Sequence, residues 1–234
     1  MGMIKENIDA INQNKDEITV RAGRKPGDVL LVAVTKTRSA EEINEAIDAG
    51  ITDIGENKVQ EIMDKYDAVK PVRWHMIGHL QTNKVKYIID KVAMIHSVDS
   101  FRLAEEIDRR AEQNGTTMDI LVQVNTAEEE SKFGITSEET GKLIEDILEL
   151  CPNIRIRGLM CIAPFEDDPE DVRVFFRETK ELYDRYAALS HPRLDFRYLS
   201  MGMSHDYEAA IQEGSNLIRV GTAIFGERFY AKQI

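Results

Sequence analysis

The feature that most constrains this chain is a regular alternation along its length. Eight short apolar runs, rich in β-branched residues, are separated by amphipathic stretches. The runs cover 29–35, 52–55, 73–78, 93–97, 118–125, 154–161, 196–200 and 216–220. Several are apolar on both faces, the pattern of strands buried in a parallel sheet. Parallel strands need crossover connections, and the intervening stretches carry helix signals. Ser39 and Glu42 form a capping box ahead of Ile43, Ala46 and Ile47, with Gly50 as the stop. Asp99 and Ser100 open another helix, and Thr136 with Glu139 forms a second box before Leu143, Ile144 and Ile147. Asp168-Pro169 reads as an N-cap and first helical residue, and Ser204 as the cap of a short helix through Ala209 and Ala210. Residues 1–25 add one amphipathic helix before the first run.

No Pro-, Gly- or Ser-rich linker divides the 234 residues, so the chain reads as one domain over 1–234. Eight β-runs in an undivided α/β chain predict a (β/α)8 TIM barrel with an additional N-terminal helix. A doubly wound sheet is the runner-up. It would normally show GxGxxG after its first strand, where this chain has Thr35-Lys36-Thr37.

Composition excludes several roles. A net charge of −12 repels phosphate backbones and anionic surfaces, against a nucleic-acid partner. No apolar run approaches the roughly 20 residues that span a bilayer. The N-terminus lacks the segments of a signal peptide, and Cys151 and Cys161 have no CxxC spacing. A cytoplasmic protein with reduced thiols is expected, and a monomer, since no large apolar face stands out.

In a (β/α)8 barrel the site is built from the C-terminal strand ends. Read in order, those ends are mostly polar: Lys36, then Glu56-Asn57-Lys58, His79 with Gln81 and Asn83, Ser97 and Asp99, Asn125, Met160-Cys161, Ser200-Met201-Gly202, and Arg219-Val220-Gly221-Thr222. Lys36 shares a period-2 face with Leu30, Val32 and Val34, which points it toward the barrel interior. A desolvated lysine there is a nucleophilic amine suited to Schiff-base formation, whereas a lysine snorkelling to solvent is the plainer reading. The last two strand ends carry glycines and hydroxyls, at Ser200 to Ser204 and at Gly221-Thr222. Such loops either are turns or cradle an anion on backbone amides. A Schiff-base lysine facing a phosphate cup describes a site for a phosphorylated aldehyde. His75 and His79 are four apart, but Met76 stands where a zinc HExxH motif has Glu.

These residues, in order and spacing, resemble one family over nearly the whole chain. Val32-Ala-Val-Thr-Lys36, Gly55-Glu-Asn57, Trp74-His-Met-Ile-Gly-His-Leu-Gln-Thr-Asn-Lys84, Leu199-Ser-Met-Gly-Met-Ser204 and Ile218-Arg-Val-Gly-Thr-Ala-Ile-Phe-Gly226 look like the pyridoxal phosphate homeostasis proteins, relatives of the N-terminal barrel of alanine racemase. The resemblance implies that pyridoxal 5′-phosphate (PLP) is held as an aldimine on Lys36. It implies phosphate binding by Ser200, Met201, Gly202, Ser204, Gly221 and Thr222, with Arg219 near the pyridine nitrogen, Asn57 near the ring hydroxyl and His79 close to the ring.

Arg219 then bears on chemistry. It cannot accept a proton, so it leaves the ring nitrogen unprotonated and the electron sink weak. The chain also ends soon after its eighth run, without the extra domain that supplies the second racemase base in that family. The expectation is therefore a non-catalytic carrier or reservoir of PLP that hands the cofactor to apo PLP-dependent enzymes. A racemase-like enzyme is the alternative. A cofactor-free Schiff-base aldolase and a vitamin-status sensor are further readings.

Overall fold

The computed structural model describes residues 2–129 and 132–226. Eight parallel strands close into a barrel in sequential order, with β8 pairing back onto β1. The order is α1 (Met3–Arg21), β1 (Leu30–Val34), α2 (Ala40–Asp48), β2 (Asp53–Glu56), α3 (Val59–Lys65), β3 (Arg73–Met76), a 3₁₀ segment (Thr82–Tyr87), and β4 (Met94–Val98). Then come α4 (Phe101–Gln113), β5 (Met118–Val124), α5 (Thr140–Leu150), β6 (Ile154–Cys161), α6 (Arg173–Ala187), β7 (Leu194–Ser200), α7 (Tyr207–Gln212), β8 (Leu217–Val220) and α8 (Thr222–Phe225). The TIM barrel and its leading helix stand as the alternation predicts.

Strand alternation sorts the side chains. Ile54, Trp74, Met76, Ile95, Ile120 and Ile218 point outward and join the helices in one large core. The opposite face fills the barrel, where Met94, Leu121 and Met160 form a small cluster with Tyr198 beside a set of buried polar groups. Helix α1 buries Ile4, Ile8, Ile11 and Ile18. Its polar side chains tie it to the elements that follow β7 and β8. Asn7 Nδ2 donates to the Ile224 carbonyl at 2.8 Å, and Asn14 Nδ2 to the Tyr207 hydroxyl at 2.7 Å.

The helix signals fare unevenly. The Ser39–Glu42 capping box is present, and Ser100 caps α4. Thr136 and Glu139 bond reciprocally, but one turn before α5 starts at Thr140. Asp168 accepts the Glu170 amide at 2.9 Å and caps only a turn, because α6 begins at Arg173. Ser204 does not cap α7. Asp206 occupies that N-cap position, and its carboxylate accepts the Met203 amide at 2.6 Å.

Candidate functional site

Lys36 lies half-buried in the turn after β1, and its backbone is clamped on both sides. Thr35 turns outward: its hydroxyl donates to Glu56 Oε1 at 2.7 Å, so the next step of the alternation places Lys36 on the side of Val32 and Val34. Thr37 donates its amide to Glu61 Oε2 at 2.6 Å and holds φ at +64°, an uncommon value for a β-branched residue. Beneath this turn Lys65 bridges Glu56 at 2.9 Å and Glu61 at 2.8 Å. Glu56 is fully buried and its Oε2 has no partner. Burial raises its carboxyl above the usual range, against the lowering effects of the Thr35 and Lys65 hydrogen bonds.

The loops after β7 and β8 interlock. The Ser204 hydroxyl oxygen accepts the amides of Gly221 at 3.2 Å and Ala223 at 3.4 Å. Gly202 sits at φ +95°, and a Cβ there would lie 2.7 Å from the Ala210 Cβ and 2.9 Å from the Tyr207 Cα. A Cβ on Gly221 would lie 3.1 Å from the Val34 carbonyl oxygen. This amide-lined bend therefore packs against the end of β1, two residues from Lys36. Buried Ser215 fastens the arrangement, donating among the carbonyls of Leu199, Met201 and Leu217 at 2.7–3.1 Å. Met201 is buried in the core, and Thr222 is exposed at the start of α8.

Deeper in the barrel, Arg219 is almost fully buried. It donates to Ser200 Oγ at 2.5 Å and to the Cys161 carbonyl at 2.9 Å. Burial pushes its basicity down, while the Asp206 carboxylate supports the charge. Burial also lifts the Cys161 thiol to about 11, so it stays protonated at neutral pH. Across the rim, Asn57 and His79 line a cleft of about 550 Å³ with Lys58, Lys84 and Tyr87. A Cβ on Gly78 would lie 2.3 Å from the Asn57 carbonyl oxygen, so the two loops touch there. His79 stacks on Phe133 with centroids 3.8 Å apart, and its Nδ1 lies 3.7 Å from Asp99 Oδ2.

Comparison with known proteins agrees with this architecture. The sequence profile of the alanine racemase N-terminal domain matches residues 7–229. The pyridoxal phosphate homeostasis protein of Aquifex aeolicus is 44% identical over 96% of this chain and 98% of its own length. The chain belongs to the pyridoxal phosphate homeostasis proteins. The family member of Escherichia coli K12 is 38% identical over the full length of both chains. Among solved structures, PipY of Synechococcus elongatus PCC7942, determined with PLP bound, superposes with a TM-score of 0.81 at 32% identity, over 95% of this chain and all of PipY. The alanine racemase of Corynebacterium glutamicum, at 15% identity and a TM-score of 0.65, shares the fold alone.

Within this family member, the structure brings Ser200 to Arg219 and Ser204 to Gly221, two pairs whose members are remote in sequence. It also reveals polar groups that sequence reasoning left without a role. His75 and His96 are fully buried and hydrogen-bonded to each other at 2.9 Å, so His75 is no partner of His79. Asp53, Glu56, Asp206 and Ser215 are buried as well. The available signal was a histidine at an inward position within each of two otherwise apolar runs.

Proposed function

We propose that this chain binds PLP at the C-terminal rim of the barrel and acts as a carrier or reservoir of the cofactor. The observation that carries the reading is the Ser204 oxygen seated on the Gly221 and Ala223 amides. That bend already receives one oxygen acceptor, and glycines at 202 and 221 let it pack closely against α7 and the end of β1. It also adjoins the Lys36 turn. PLP carries its aldehyde and its phosphate arm on neighbouring ring carbons, so an amine and an anion cup must stand side by side, as the ends of β1 and β8 do. When bound, PLP supplies an aldehyde that captures amines and a ring that can draw electrons from them.

In this reading the Lys36 amine would hold the cofactor through its aldehyde, and the Gly202, Gly221 and Thr222 amides with the Ser204 hydroxyl would hold the phosphate. Arg219 would serve the ring nitrogen, with Asn57 toward the ring hydroxyl and His79 toward the ring. Ser200 serves through Arg219, since its hydroxyl is buried against that guanidinium. Met201 anchors the loop from the core. The homeostasis names of the relatives and the PLP-bound PipY support the ligand.

The non-catalytic role rests on Arg219. A permanently cationic partner leaves the ring nitrogen unprotonated and the electron sink weak. A cytoplasmic monomer that passes PLP to apo enzymes completes the reading. Among the described residues no helix is long and apolar enough to cross a membrane. The test is a visible spectrum of the protein with PLP, followed by borohydride treatment and peptide mapping. A visible band and a label on Lys36, both lost in Lys36→Ala, are expected. A protein that gains neither overturns the ligand assignment. Sustained racemisation of an L-amino acid that Lys36→Ala abolishes would favour the enzyme alternative.

A further inference from the structure

A continuous line of buried side chains runs through the barrel from its floor to Arg219. At the floor, Asp53 Oδ2 accepts the Thr52 hydroxyl at 2.7 Å, and Oδ1 takes Arg73 Nε at 2.8 Å and His75 Nε2 at 2.8 Å. His75 Nδ1 meets His96 Nε2 at 2.9 Å, and His96 Nδ1 meets Ser200 Oγ at 3.3 Å. Ser200 Oγ receives Arg219 at 2.5 Å. His96 on β4 reaches Ser200 on β7 only through the barrel interior. Asp53, His75, His96, Ser200 and Arg219 are each at most 3% exposed.

The guanidinium sets the direction of every bond. Arginine only donates, so Ser200 Oγ is an acceptor toward it. Among the described residues Ser200 Oγ bonds only Arg219 and His96, so its own proton goes to His96 Nδ1. His96 then donates from Nε2 to His75 Nδ1, and His75 donates from Nε2 to the Asp53 carboxylate. The opposite polarity would strand the Ser200 proton in a site without another acceptor, at a cost of about 1–3 kcal/mol.

We infer that Asp53, His75, His96 and Ser200 form a one-directional positioning relay that fixes the buried Arg219 guanidinium and connects it to the carboxylate on the barrel floor. Burial first, then the neighbouring His75 and Arg219, push His96 well below its ordinary basicity, in accord with a single proton on that ring. Burial raises Asp53, but the His75 and Thr52 hydrogen bonds and the charge of Arg73 bring it below the usual carboxylate range. Asp53 is thereby kept as the terminal acceptor. Asp206 and Cys161 are the other titratable groups that act on Arg219. The relay is a property of the folded chain. Its consequence for the cofactor rests on the PLP reading.

Two measurements test it. Nitrogen-15 NMR of the imidazoles in the full chain, without PLP, should show both His75 and His96 as Nε2–H tautomers at pH 7. A proton on Nδ1 of either ring overturns the relay, whatever the fate of the PLP reading. In the PLP-loaded protein, His96→Asn and Asp53→Asn should keep borohydride labelling on Lys36. They should shift the visible band and weaken PLP binding about two- to tenfold, the span of one neutral hydrogen bond. Variants with the wild-type spectrum and affinity overturn the positioning role. Wild-type protein that takes up no PLP would sink the PLP reading, and the tautomers would still decide the relay.

Discussion

The hydroxyl oxygen of Ser204 accepts the amide of Gly221 at 3.2 Å, seventeen residues along the chain. This bond joins the loops after β7 and β8 and orients an oxygen acceptor over the start of α8. If the bend receives the PLP phosphate, Ser204 turns from acceptor of amides to donor toward the phosphate. Ser204→Ala should therefore weaken PLP by about 1.5–3 kcal/mol, the worth of a hydrogen bond to a charged group. Pyridoxal without phosphate should bind both proteins alike. Titration of the visible band with the two ligands measures the difference, and equal losses for both would refute the phosphate assignment.

Gly202→Ala tests the same loop from the backbone side. The residue holds φ at +95°, and the added Cβ would meet the Ala210 Cβ at 2.7 Å and the Tyr207 Cα at 2.9 Å. Strain and overpacking should together lower stability by about 2–4 kcal/mol and abolish tight PLP binding. Urea denaturation and PLP titration read the two effects. A variant of wild-type stability would show that the loop rearranges freely.

Much of this was legible in the sequence because it depends on local pattern. Apolar runs and crossover helices define a barrel once they are counted, and glycines beside hydroxyls after the last two runs mark the bend. Ser204 shows the limit. As a Ser five residues before an Ala-Ala-Ile run it satisfies the N-cap rule, yet Asp206 takes that position and frees Ser204 to reach Gly221. Local rules do not decide between two capping residues when one has a remote partner. His75 and His96 escaped for a related reason. Each sits alone in an apolar run, and only barrel closure brings them within 2.9 Å.

Buried charge under the Lys36 turn gives a stability prediction. Lys65 is the cation paired with Glu56, whose side chain is wholly buried. Lys65→Met should cost about 3–5 kcal/mol, because it leaves a buried carboxylate without its counter-charge. Adding Glu56→Gln should recover much of that loss, since no charge then remains to desolvate. Chemical denaturation of the single and double variants forms the cycle. A double variant as unstable as Lys65→Met alone would place the cost in packing rather than charge.

The buried imidazole gives stability a dependence on pH whose sign is fixed. His96 titrates well below its ordinary value of 6.5 in the folded chain, because burial disfavours the imidazolium. Below about pH 6.5 the unfolded chain binds a proton that the folded chain refuses. The contribution of His96 is thus fully present above that pH and is lost as pH falls toward the folded value, at up to about 1.4 kcal/mol per pH unit. Asp53, lowered in the fold, adds a loss only further down, below its ordinary 3.8. Glu56, Asp99 and Asp206 are raised in the fold and act oppositely, their contributions fading as pH rises through their folded values. The difference between wild type and His96→Asn isolates the imidazole from these carboxyls. Urea midpoints between pH 4.5 and 7.5 should therefore converge on acidification, the wild type losing its advantage. A difference constant across that range would mean that His96 takes up its proton alike in the folded and unfolded chain, and one that grows on acidification that it is protonated in its buried site; either would require its hydrogen bonds to be reassigned.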